Sequence, residues 1–252
     1  MCESANERTA TKGCAEWANG EIKVYTDADT LAHAAAERFV AQAAQAIAAR
    51  GRFVVALAGG STPYATYALL AGDEFTAEVD WLRVHVLWGD ERCVPPDHRD
   101  SNYRLAREAL LNRVPIPNAN VHRIRGELSP AQAAATYESE LETVLGADGR
   151  FDLILLGLGA DGHTASLFPG TAALEERTRW VIENHVEKLN AWRVTLTLPI
   201  INAARQVTFL VSGAAKADAL ARIQAGEPLP AGLVQPMEGR LTWLVDQQAG
   251  HR

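Results

Sequence analysis

The chain has 252 residues, 48% of them apolar and 22% charged, with a net charge of -7. At roughly 150 residues per domain this length admits one large domain or two small ones, and a chain this long buries a core without disulfide or metal staples. The longest apolar runs, Phe53 to Ala58 and Leu153 to Leu158, fall well short of the roughly 18 residues of a membrane span. With 31 acidic against 24 basic residues and no Lys/Arg run, neither a membrane nor nucleic acid is an expected partner.

Residues 1 to 21 mix acidic and basic side chains without an apolar h-region, so they read as a flexible N-terminal lead-in and not as a secretory signal. Cys2, Cys14 and Cys93 show no CxxC spacing, which fits a reducing cytoplasm and neither a disulfide framework nor a zinc site. From Ile22 onward β-rich runs alternate with helical ones. Ile22 to Tyr25 is a predicted strand. Asp27 or Asp29 caps a helix that carries Leu31, Ala35, Phe39, Ala43 and Ile47 on one face and stops at Gly51. Phe53 to Ala58 is apolar throughout, as a parallel strand covered on both faces requires. A helix from Pro63 to Ala71 follows, then a strand from Arg83 to Trp88. Ser101 caps a helix through Leu111, which Pro115 and Pro117 end.

Val121 to Ile124 is a short predicted strand. Ser129, Pro130 and Gln132 combine a cap, a first-turn proline and a capping-box glutamine, opening a helix to Leu145. Phe151 to Leu156 is the most apolar strand. Trp180 to Glu183, Arg193 to Leu198 and Gln206 to Ser212 are further strands, followed by a helix over Ala214 to Ala225 and a last element, Leu241 to Asp246. Strands alternating with helices predict an α/β fold: Rossmann-like and doubly wound, with a mostly parallel sheet and helices on both faces. The expected organisation is one α/β domain over residues 22 to 252.

In such sheets ligands bind beyond the carboxyl ends of the strands, so the loops there carry the functional expectations. Gly59-Gly60-Ser61-Thr62-Pro63 offers bare backbone, two hydroxyls and a helix start. That suits either phosphate or sugar oxygens, or simply a tight turn with a Ser/Thr cap. In Asp90-Glu91-Arg92, Arg92 is the natural anion ligand, and Asp90 and Glu91 either orient it or contact hydroxyls; a solvated charged turn is the alternative. Gly157-Leu158-Gly159-Ala160-Asp161-Gly162 matches GxGxxG with Glu183 about 20 residues on. Phe168-Pro169-Gly170 interrupts the helix that this fingerprint needs, so a dinucleotide site is rejected. The same loop supplies His163, whose ordinary pKa of about 6.5 suits it to accept a proton from water, with Asp161 placed to fix its tautomer. A loop histidine that merely holds its turn is the competing possibility. Lys216 sits in the first turn of a helix, a poor place for a cation serving helix stability and a good one for an anion site. Arg193 would lie at an amino end if its strand were parallel. No GxSxG elbow is present.

Taken together these segments resemble the 6-phosphogluconolactonases, within the group that includes the glucosamine-6-phosphate deaminases, from about Ile22 to Ala249. The resemblance rests on Gly59 to Pro63, on Asp90 to Pro95 with Ser101-Asn102, and on Gly157 to Pro169. It extends to Arg193 to Thr197, Asn202 and Gly213 to Ala217. Similar deaminases carry Asp-Glu-Tyr at the position of Asp90-Glu91-Arg92 and a glutamate near Phe168, both absent here. The resemblance therefore implies hydrolysis of 6-phospho-D-glucono-1,5-lactone without metal or organic cofactor, in the oxidative pentose phosphate pathway. His163 would be the general base, supported by Asp161. Gly59, Gly60, Ser61, Thr62, Asp90, Arg92, Asn102, Arg193 and Lys216 would bind the sugar phosphate. A deaminase/isomerase and a non-catalytic sugar-phosphate sensor are the rival functions, and a monomer and a homodimer are equally compatible. One departure from the family pattern stands out: Lys188-Leu189-Asn190-Ala191-Trp192 replaces the proline-rich approach to Arg193.

Overall fold

Short apolar runs covered on both faces belong in the middle of a parallel sheet, and most of them meet in one. A computed structural model describes residues 16–17 and 20–250. The first half of the chain forms β1 (Glu16–Trp17), β2 (Gly20–Tyr25), α1 (Ala28–Arg50), β3 (Phe53–Leu57), α2 (Ser61–Leu70), β4 (Val84–Trp88) and β5 (Asp90–Arg92). Next come α3 (Asn102–Ala106), which runs into one π-helical turn, then α4 (Pro130–Leu145), β6 (Leu153–Gly157), β7 (Val181–Val186) and β8 (Ala191–Leu196). The chain closes with α5 (Leu198–Ala203), β9 (Gln206–Val211), α6 (Ala217–Gln224), β10 (Arg240–Asp246) and α7 (Gln247–Gly250).

Seven strands lie in the order β1-β2-β10-β9-β6-β3-β4, all parallel except the β1–β2 pair. The α/β class and the mostly parallel, helix-covered sheet expected from the sequence are thus present. The strand order departs from the dinucleotide-binding arrangement, because the first parallel strand, β2, lies beside β10 and far from β3. Direction reverses between β3 and β6: the chain leaves β3 for β4 on one side and returns to β6 on the other. That reversal opens a crevice above the carboxyl ends of β3 and β6.

Packing follows strand alternation. Leu210 and Leu244 face Leu31 and Ala35 of α1, and Phe209 and Trp243 on the opposite face stack with centroids 3.8 Å apart. Helix α1 is fixed at both ends by local chemistry. Asp27 accepts the Thr30 N–H at 2.8 Å, and Gly51 takes the left-handed φ of 76° that ends the helix.

Several expectations need correction. Asp90 to Arg92, Val181 to Val186 and Ala191 to Leu196 form a separate antiparallel sheet in the order β5-β8-β7. Gly89 is the junction: its N–H bonds Leu57 of the large sheet at 2.9 Å, and its carbonyl accepts from Leu196 of the small one at 2.8 Å. Val121 to Ile124 makes only an isolated bridge, Val121 to Val86. Ser129 gives its hydroxyl to Gln132 at 2.8 Å and makes no side-chain cap, although Pro130 opens the helix as expected. The helix expected from Ala214 is a tight turn over Ala214–Lys216 before α6. The sheet also begins earlier than the expected lead-in allows, because Glu16–Trp17 pairs with Gly20–Glu21. Residues 1 to 15 of that lead-in lie outside the described residues.

Candidate active site

The loops after β3 and β6, with β5 and the turn before α6, enclose a cleft of about 220 Å³. Gly59, Gly60, Asp90, Arg92, Asn102, Gly157, Gly159, His163, Ala165 and Lys216 line it. Seven of the residues singled out in the sequence therefore meet at one sheet edge. Ser61 and Thr62 open α2 just beyond Gly60 and do not line the cleft, so the approach there is by backbone. Asp161 stands behind His163, and Arg193 lines the neighbouring cavity. A larger cavity of about 620 Å³ lies beside the cleft, sharing neither His163 nor the cations of the site.

Glycine at position 59 has a steric cause. A Cβ there would fall 1.9 Å from Asn102 Oδ1, so only a bare backbone lets Asn102 in. Asn102 donates to the Asp90 carbonyl at 2.9 Å and to Asp90 Oδ1 at 3.1 Å, while its own Oδ1 is buried without a partner beside the cleft. An unpaired buried acceptor of this kind is expected where a ligand hydroxyl completes the bonding. Asp90 is further fixed by the Ser166 hydroxyl at 2.6 Å. Ser166 in turn accepts from Asn184 of β7 at its carbonyl, 2.8 Å away, and donates its N–H to Thr195 of β8 at 3.1 Å.

Glu91 does not contact the cleft. It accepts the N–H groups of Arg92, Asn102 and Tyr103 at 2.7, 2.8 and 2.8 Å and the Ser101 hydroxyl at 3.0 Å, anchoring the start of α3. Burial raises its pKa, and these donors oppose the rise.

His163 is held on three sides. Its Nδ1 lies 2.5 Å from Asp161 Oδ1, and its N–H reaches the same oxygen at 3.2 Å. Phe168 stacks on the ring with centroids 4.1 Å apart. A Cβ on Gly159 would sit 1.9 Å from Nδ1, so this glycine admits the imidazole as Gly59 admits Asn102. Ala165, two residues on, takes a positive φ of 46°, uncommon for a residue with a Cβ and a sign that the loop is over-determined by its surroundings. Burial pushes the imidazole pKa down to about 4. Asp90 opposes the fall, and Lys216, Arg193 and Arg92 deepen it. The ring is therefore neutral near pH 7, and among the described residues nothing bonds its Nε2.

The cations arrive from three elements. Arg92 donates to the Asp100 carbonyl, and Arg193 stands directly opposite it across the β5–β8 ladder. The strand carrying Arg193 is antiparallel to β5, so this residue reaches the site neighbourhood by a route that a parallel strand would have closed. The turn before Lys216 is anchored by Asp246, a buried carboxylate at the end of β10. It accepts the Ser212 hydroxyl at 2.6 Å and the N–H groups of Gly213 and Ala249 at 3.0 and 2.8 Å. Asp246 has no sequence signal beyond a charge at a strand end, which is common, and Lys188, which ion-pairs with Asp161, enters the sequence reading only as part of the segment that departs from the family pattern. Among the described residues no group of three or more His, Cys, Asp or Glu side chains is arranged to hold a metal.

A neutral, carboxylate-braced imidazole beside cations at the edge of a doubly wound sheet defines a site that pairs proton transfer with anion binding. The chain belongs to the family described as glucosamine-6-phosphate isomerases/6-phosphogluconolactonase, which it matches over residues 26–243. Within that family it is 48% identical over 215 residues to the 6-phosphogluconolactonase of Synechocystis sp., covering 82% of this chain and 87% of that protein. It is 42% identical over 238 residues to the 6-phosphogluconolactonase of Nostoc sp., covering 91% and 96%. The solved 6-phosphogluconolactonase of Trypanosoma brucei matches with a TM-score of 0.81 at 32% identity, covering 90% of this chain and 96% of that one. A monomeric glucosamine-6-phosphate deaminase shares the fold, with a TM-score of 0.77 at 21% identity.

Proposed function

We propose that the chain hydrolyses 6-phospho-D-glucono-1,5-lactone to 6-phosphogluconate, with His163 as general base. The observation that carries this reading is a neutral His163, held at Nδ1 by Asp161, in the same cleft as Arg92 and Lys216. In the proposed step Nε2 takes a proton from water as the water oxygen bonds the lactone carbonyl carbon. The tetrahedral intermediate then expels the ring oxygen, which takes the proton back from the imidazolium and leaves as a hydroxyl, and the carboxylic acid so formed gives its remaining proton to solvent to become a carboxylate. A positioned base contributes roughly 10²–10⁴-fold to such a step, which a lactone, already electrophilic, needs only modestly supplemented.

Arg92 and Lys216 hold the phosphate or the developing charge, and Asn102 Oδ1 accepts from a sugar hydroxyl. Bound phosphate raises the pKa of His163 from its ligand-free value, bringing the base nearer to neutral pH as the substrate arrives. Phe168 on the imidazole face supports the lactonase over the deaminase, whose similarity calls for a glutamate near that position. The proposal includes a single α/β domain, no requirement for a cofactor and a cytoplasmic setting, the last supported by the sparse, unpatterned cysteines.

The test is direct. The lactone is generated with glucose-6-phosphate dehydrogenase, and its loss is followed with and without the protein. Acceleration over the spontaneous rate at catalytic enzyme is the expected result; its absence at micromolar enzyme sinks the proposal.

A further inference from the structure

Lys188 lies in the reversal between β7 and β8, outside every loop that the sequence marked for chemistry. The chain turns there through a tight helical turn over Glu187–Leu189 and then Asn190, whose φ of 44° is left-handed. Asparagine is one of the few residues with a side chain that adopt this backbone readily. The turn sends the Lys188 side chain back over the catalytic loop. Its ammonium lies 4.6 Å from the centre of the Phe168 ring and ion-pairs with Asp161 Oδ2.

Those two partners are the groups that hold His163. Asp161 bonds Nδ1 through its other oxygen, and Phe168 covers the ring face. A carboxylate held at one oxygen turns easily about its last torsion, because such torsions are broad. A second anchor on the other oxygen stops that rotation. A half-exposed lysine left to itself keeps its rotamers free, and this one is held between Asp161 and the Phe168 ring.

We propose that Lys188 is a positioning residue for the reaction: by pinning Asp161 Oδ2 it fixes the carboxylate that keeps His163 in its Nδ1–H tautomer, with Nε2 free to take the proton. The proposal rests on His163 being the base. The charges facing that imidazole come from five places: Asp161 on its own loop, Asp90 and Arg92 on β5, Arg193 on β8, Lys216 before α6, and Lys188 from the β7–β8 turn. Lys188 alone among these cations touches the carboxylate that braces Nδ1, as far as the described residues go. Its removal has two consequences of different kind: the tautomer loses its brace, and a positive charge leaves the neighbourhood of the imidazole.

The test compares wild type with Lys188→Met, which keeps most of the alkyl stem against Phe168, and Lys188→Arg, which keeps the charge. Lys188→Gln serves as a second neutral variant. In the neutral variants kcat should fall about tenfold, a fraction of the ~10²–10⁴ that a whole base supplies, with KM little changed. The acid limb of kcat/KM should move to higher pH, since loss of a nearby cation makes the imidazolium easier to form. Lys188→Arg should restore most of kcat. Imidazole ¹⁵N spectra of the substrate-free protein, with His163 assigned by its loss in His163→Gln, should show the Nδ1–H form in wild type and a tautomer mixture in Lys188→Met. An unchanged kcat and tautomer would overturn the proposal, and so would a rise in KM alone, which would make Lys188 a substrate contact. If wild type shows no lactonase activity the functional reading fails, whereas the spectra still decide whether Lys188 sets the tautomer.

Discussion

The two sheets contribute to the cleft in different ways. The central strands of the large parallel sheet, β3 and β6, are apolar throughout, and the sheet offers the cleft backbone and loop residues at its carboxyl edge: Gly59, Gly60, the loop around His163, and Lys216. The small antiparallel sheet carries its polar groups within the strands themselves, with Asp90, Glu91, Asn184 and Thr195 all buried. Buried polar groups persist where they find partners: Asp90, Asn184 and Thr195 each bond Ser166 of the His163 loop, and Glu91 bonds the start of α3. The large sheet thus sets where ligand can lie, and the small sheet sets the orientation and charge of what faces it.

The sharpest way to break this division is at the base. His163→Ala should lower kcat by about 10²–10⁴-fold while leaving 6-phosphogluconate binding, measured by calorimetry, close to wild type. Retained turnover would move water activation elsewhere. Next in size is Gly59→Ala. Its Cβ would strike Asn102 Oδ1 and force that buried side chain from Asp90, costing about 1–3 kcal/mol and most of the activity. A thermal melt and a kcat/KM measurement read both.

Asp246→Ala probes the large sheet's hold on Lys216 from a distance. It leaves the Ser212 hydroxyl and two N–H groups without their buried acceptor, so a loss of about 3 kcal/mol in denaturant unfolding is expected, with a raised KM. An unaltered KM would mean that Lys216 is placed without it.

The smallest effects are the most discriminating, because Lys216 beside the large sheet and Asp90 of the small sheet should pull in opposite directions. With His163 as the proposed base the active imidazole is the neutral one, so kcat/KM should fall as pH drops through a free-enzyme pKa of about 4. Lys216 deepens that depression and Asp90 opposes it. Lys216→Ala should therefore shift the acid limb upward and Asp90→Asn downward, each by up to about one pH unit. Lys216→Ala should also raise KM, and a pure kcat defect would contradict its phosphate-holding role. Parallel shifts in both variants would show that Lys216 and Asp90 do not oppose each other at the base.

Much of the candidate site is legible in the sequence, because its chemistry is concentrated in short segments. Two glycines after an apolar strand, an aspartate two residues before a histidine, and a lysine at a helix start are local patterns with local meanings. Arg193 was harder. Its contribution depends on the direction of β8, and the alternation of a single strand carries no sign of whether its neighbour runs parallel or antiparallel. The capping box at Ser129 failed for the opposite reason: a correct local motif was satisfied by Gln132 as a side-chain partner.

By itself the sequence determined the fold class, most of the longer strands and helices within a few residues, and the loops proposed to carry base, anion ligands and close backbone approach. Each follows from apolar periodicity or from the conformational range of a glycine or cap, properties of neighbours along the chain. Tertiary structure alone decided that Asp90 meets Ser166 across 76 residues of chain, that Lys188 reaches Asp161 from 27 residues away, and that Asp246 seats the loop before Lys216. These contacts follow from strand order and from the switch between sheets at Gly89. Strand order is a choice among pairings whose energies come from the assembled core, so no short stretch of sequence contains it.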